Sequence, residues 1–162
     1  MSIEKTITVK VNGNVVKLVA AAHRTLLEAL RHEGFVEIKC GCEKGDCGAC
    51  AVLLNGEAVD SCLTLAWHVD GCEIITIKGI GQPGKADPLQ KAFIETGAAQ
   101  CGYCTPGMIV AARVLLKNNP NPSLDDIKRG LSGNLCRCTG YTRIFEAIQV
   151  AAEEMRQAGE AA

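Results

Sequence analysis

The chain has 162 residues, 48% of them apolar, enough for one ordinary domain or two small ones with a real core. Lys and Arg total 17 against 18 Asp and Glu, a net charge of −1, so no long-range field draws nucleic acid or an anionic membrane. No run approaches the roughly 18 apolar residues of a membrane helix. Met1–Thr6 carries neither a basic-then-apolar export signal nor a twin arginine, so a cytoplasmic location is expected.

In chain order, Ile3, Lys5, Ile7, Val9 and Val11 alternate with polar residues, and Asn12-Gly13 precedes Val15–Val19. This predicts a β-hairpin on a type I′ turn. Thr25 and Glu28 form a capping box that opens a short helix with Leu26, Leu27 and Leu30 inward. A cysteine-rich loop follows, then strand patterns at Ala51–Leu54 and Ala58-Val59 around Asn55-Gly56, and a further strand from Glu73 to Ile77. Lys78–Lys85 has three glycines and a proline in eight residues, the composition of a linker. Beyond it the period is helical. Asp87 is an N-cap with Pro88 at the first helical position; Met108–Leu116 is an apolar helix; Ser123–Asp126 caps another after Pro120 and Pro122; Ile144, Ile148, Ala151 and Met155 mark the last. The expected fold is α+β: a small mixed sheet with one helix over residues 1–78, a linker at 79–86, and a small helix bundle over 87–162. Small-residue pairs in the helical half, Ala98-Ala99, Ala111-Ala112 and Ala151-Ala152, suit close packing against a partner.

Ten cysteines are about 6% of the chain, below the roughly 8–10% of a disulfide scaffold, so metal ligation is the leading explanation. Cys42, Cys47 and Cys50 are spaced C-x4-C-x2-C, with Cys62 beyond, which is the plant-type 2Fe-2S signature. Two irons need four thiolates from several directions, and the interspersed Gly41, Gly45 and Gly48 let the backbone wrap closely and aim N–H groups at sulfur. Cys101, Cys104, Cys136 and Cys138 form a second set, each pair just before a helix whose dipole favours thiolate charge. A zinc site would use these same four ligands. Cys40 and Cys72 read as small buried hydrophobes.

His23, His32 and His68 all lie more than three residues from any ligand cysteine, which argues against a Rieske-type centre. Asp125, Asp126, Glu153 and Glu154 read as solvated helix charges, and there is no Ser/His/Asp set, no phosphate loop and no nucleophile.

With both sets in view, the chain resembles the small iron-sulfur subunit of the xanthine oxidase family of molybdenum hydroxylases. The carrying motifs are Gly41–Cys50, Ile75–Gly81, Gln100–Gly107 and Cys136–Tyr141, and the match runs from about residue 3 to 155. The resemblance implies a β-grasp ferredoxin domain followed by a four-helix domain. It further implies a molybdopterin-binding large subunit and an FAD-binding subunit as partners, in a heterotrimer or dimer of heterotrimers. On that reading the second cluster lies near the pterin, Gln100 hydrogen-bonds the pterin, Cys138 is the nearest ligand, and the ferredoxin cluster lies toward FAD. Cys40 departs from the family pattern, which has an apolar residue without a thiol there. A free-standing ferredoxin would need one cluster and tends to be strongly acidic; a zinc-stabilised interaction protein would be colourless.

Overall fold

Two Asn-Gly steps shape the sheet: Asn12 and Gly13 (φ +48° and +85°) and Asn55 and Gly56 (+50° and +89°) both hold the pair of positive φ angles that a type I′ hairpin requires. The computed structural model describes residues 3–82 and 84–159. Residues 1–2 of the expected sheet domain, Pro83 of the expected linker, and residues 160–162 of the expected helical half lie outside the described residues. The hairpins join β1 (Glu4–Val11) to β2 (Asn14–Ala21) and β3 (Ala51–Leu54) to β4 (Glu57–Asp60), and β5 is Glu73–Ile75. The strand order is β2-β1-β5-β3-β4, with β1 parallel to β5 and every other pair antiparallel.

The central strands are buried on both faces, which explains their continuous apolar runs. Val52 and Ile74 join one core with Ile7, Val9, Val11, Leu18 and helix α1 (Leu26–His32). Their chain neighbours Leu53 and Ile75 turn to the other face and pack with the helical half. The sheet thus lies between α1 and the helices α2 (Pro88–Glu95), α3 (Thr105–Asn118), α4 (Leu124–Gly130) and α5 (Thr142–Gln157). These four share one core through Leu89, Phe93, Met108, Ile127, Ile144 and Ile148.

Sequence signals name the helix starts well. Thr25, Asp87 and Ser123 each close a capping box. Four expectations need correction. The last strand stops at Ile75 rather than Ile77, because the Thr76 N–H donates to Asn12 Oδ1 (2.8 Å) and its hydroxyl donates to buried Glu37 (3.0 Å), bending the chain into a 3₁₀ turn over Ile77–Gly79. The other Glu37 oxygen has the Lys78 ammonium 3.3 Å away but no hydrogen bond in line with it. Second, α3 begins three residues before Met108, directly after Cys104, its first turn holding Pro106. Third, Ala98, Ala112, Ala151 and Ala152 are buried inside the chain's own helical core and are not available to a partner, whereas Ala99 is exposed and Ala111 half-buried. Fourth, Cys40 and Cys72 are only half-buried at the edge of the sheet core, and the Cys40 thiol donates to Glu43.

Candidate metal centres

The loop from Cys40 to Cys50 has no regular secondary structure and carries four cysteines, of which Cys42, Cys47 and Cys50 are the candidate ligands. The loop packs closely at Gly41, where a Cβ would sit 2.7 Å from Cys47 Sγ and displace it. Cys62 arrives on the turn after β4, so Cys42 faces Cys47 and Cys50 faces Cys62. The Cys42 sulfur accepts N–H bonds from Lys44 (3.4 Å) and Asp46 (3.3 Å), which, led by that of Lys44, bring the half-buried thiol down to about 7. Burial pushes Cys50 the other way, up to about 12, and raises Cys47. Ser61, buried beside Cys62, donates to the Cys50 carbonyl at 2.7 Å.

The second set also stands as pairs. Cys104 at the N-cap of α3 faces Cys136, both half-buried, while exposed Cys101 and Cys138 bring their sulfurs to 3.6 Å. That separation is far beyond the roughly 2.05 Å of a disulfide. It matches the edge of about 3.8 Å that two sulfurs span on a tetrahedral metal at about 2.3 Å. Desolvation drives Cys104 up to about 12. Burial also raises Cys136, but bonds from the Thr139 hydroxyl (3.2 Å) and the backbone of Cys138 and Thr139 outweigh it, and the net shift is downward. The Cys136 loop does not run straight into α5: Tyr141 intervenes at φ +68°, its hydroxyl accepting from Cys136 N–H (3.0 Å). The dipole argument therefore holds for Cys104 better than for Cys138.

Three contacts tie the two cysteine loops together. Leu135 N–H donates to the Cys47 carbonyl (3.0 Å), buried Asn134 donates to the Gly48 carbonyl (3.1 Å), and the Tyr103 hydroxyl donates to the Cys40 carbonyl. Gln100 is exposed in the bend before Cys101. His23, His32 and His68 lie outside both loops, and Asp125, Asp126 and Glu153 pair with basic residues on their own helices while Glu154 pairs with Lys91 of α2.

Both halves match known families. A model for a 2Fe-2S iron-sulfur cluster binding domain covers residues 9–73, and a second 2Fe-2S binding domain model covers 76–149. The chain is 46% identical to the nicotinate dehydrogenase small FeS subunit of Eubacterium barkeri, over 91% of this chain and 95% of that one. It is 45% identical to the xanthine dehydrogenase iron-sulfur-binding subunit of Escherichia coli O157:H7, over 91% and 96%. The chain belongs to the iron-sulfur subunits of the xanthine oxidase family. Its fold is similar to a chain in the crystal structure of quinoline 2-oxidoreductase from Pseudomonas putida 86, with a TM-score of 0.91, 42% identity, and coverage of 97% and 98%.

The thiols of this iron-sulfur subunit fit the group its family implies. A structural zinc draws four ligands onto one point. Among the described residues no three His, Cys, Asp or Glu side chains converge in that way, and the cysteines stand two by two, as a dinuclear cluster asks. Sequence reasoning missed Asn134, Leu135, Tyr103 and Thr139. Thr139 alone left a local trace, three residues after Cys136; the others act across the two halves, where spacing carries no signal.

Proposed function

We propose that this chain relays electrons, one at a time, through two 2Fe-2S clusters between a molybdopterin centre on a large partner subunit and FAD on another. The complex would be a cytoplasmic heterotrimer or dimer of heterotrimers. The observation that carries the reading is the arrangement of eight thiols as four pairs in two sets. When bound, the clusters supply the one-electron chemistry that protein side chains lack. Cys42, Cys47, Cys50 and Cys62 hold one, and Cys101, Cys104, Cys136 and Cys138 the other. The N–H groups of Lys44 and Asp46 and the Thr139 hydroxyl aim positive dipoles at sulfur, which favours added negative charge.

Direction within the relay follows exposure. In the second set the inner pair, Cys104 and Cys136, is half-buried and the outer pair, Cys101 and Cys138, is exposed. We assign Gln100 and Cys138, both on that outer side, to the pterin, with Cys138 the nearest ligand. Between the sets, Cys47 C=O···H–N Leu135 continues through one peptide to Cys136, leaving a single hydrogen bond as the only non-covalent step between ligands. On this reading residues 1–78 form a β-grasp ferredoxin domain, 79–86 a linker and 87–162 a four-helix bundle. The test is metal and sulfide analysis with electron paramagnetic resonance. The expected result is four irons and four acid-labile sulfides per chain and two distinct signals after reduction; two zincs without labile sulfide would overturn it.

A further inference from the structure

One hydroxyl in the second cysteine set is dry and bonded to nothing. Thr105, next after Cys104 and first in α3, has its Oγ1 buried with no hydrogen-bond partner. Buried polar atoms are nearly always paired. A threonine in a helix usually finds a local acceptor; here the backbone N–H of Thr105 reaches Gly102 O (3.3 Å) while the hydroxyl reaches nothing. Thr139 offers the contrast. It follows the other member of the same inner pair by three residues, and its hydroxyl donates to Cys136 Sγ at 3.2 Å. The Cys104 thiol, one residue before Thr105, is half-buried.

We propose that Thr105 Oγ1 donates a hydrogen bond to a sulfur of the cluster held by Cys101, Cys104, Cys136 and Cys138, an acceptor that arrives only with the cluster, and so raises that cluster's reduction potential. The inference rests on the two-cluster reading above. A donor aimed at sulfur stabilises the negative charge gained on reduction, so its removal makes the cluster harder to reduce. Thr105→Val keeps the side-chain shape and removes the hydroxyl. It breaks no hydrogen bond within the chain itself, so its effect is specific to the loaded site.

The experiment is potentiometric titration of the assembled complex, following both cluster signals by electron paramagnetic resonance, for wild type, Thr105→Val, Thr105→Ala and Thr105→Ser. The expected result is a fall in the second cluster's potential in the Val and Ala variants by about tenfold in its reduction equilibrium, about 59 mV for one electron. Serine restores the value, and the ferredoxin cluster is unchanged throughout. Both signals present with unshifted potentials would overturn the proposal while leaving the relay standing; wild-type chain with zinc and no labile sulfide would overturn the relay itself. Should both apolar variants fail to load, the coupling of an exchangeable proton to the second cluster in the wild-type and serine proteins decides, and its absence from both overturns the proposal.

Discussion

At the scale of single residues, the candidate ligands were legible because cysteines announce themselves by type and local spacing. C-x4-C-x2-C and the two later pairs sit on loops whose chemistry is local. The supports were not legible. Asn134 meets Gly48 across 86 residues, and that contact exists only once both halves have folded. Gly107 belongs to the same joint: a Cβ there would lie 2.1 Å from the Gly48 carbonyl oxygen, a backbone atom that cannot step aside. Gly107→Ala should therefore push the two cysteine loops apart, at a cost on the order of 1–3 kcal/mol, the usual scale of overpacking. Iron content and both resonance signals should fall together. A variant that loads fully with an unshifted urea midpoint would show that the joint is softer than described.

At the scale of elements, the starts of α1, α2 and α4 were read from caps, while the uncapped start of α3 and the end of β5 were not. Thr25, Asp87 and Ser123 carry their partners three residues away, within reach of a pattern search. The end of β5 depends on Asn12 and Glu37, both remote in sequence from Thr76. The caps yield a prediction with a definite sign. The Ser123 hydroxyl first, and then the Arg129 guanidinium, hold the Asp126 carboxyl at about 2, below its ordinary 3.8. A carboxyl depressed by folding contributes stability that is complete above its unfolded value and is lost as pH falls through the folded one. The urea-midpoint difference between wild type and Asp126→Asn should thus hold constant above about pH 5 and shrink as the solution is made more acid. A difference that grows on acidification would contradict the assignment. Thr25→Ala, which opens the α1 box, should cost about 1 kcal/mol at neutral pH.

At the scale of the whole molecule, the two cores meet across the sheet, and three of the exposed apolar residues lie beside the cysteines. Leu63 (62% exposed) follows Cys62, Tyr103 (47%) lies within the second set, and Leu135 (54%) joins it to Cys47. Of the alanine pairs read from sequence as partner contacts, Ala98, Ala112, Ala151 and Ala152 turned inward while Ala99 is exposed; Leu63, Tyr103 and Leu135 leave apolar surface beside the cysteines. Permanent complexes bury about 2,000 Å² or more, so the isolated chain should associate or precipitate in size-exclusion runs, and a monodisperse, fully loaded monomer would count against an obligate complex. The relay itself is tested most directly by rapid-freeze resonance of the assembled complex mixed with its substrate for a single turnover. Serine is a poorer ligand for iron than thiolate. With Cys47→Ser, molybdenum and the second cluster should still be reduced while FAD stays oxidised; with Cys104→Ser, nothing beyond molybdenum should be reduced, cofactor content being checked in both. If Cys104→Ser reduces FAD at the wild-type rate while Cys47→Ser isolates molybdenum, the order is reversed, and the placement of Gln100 and Cys138 at the pterin falls with it.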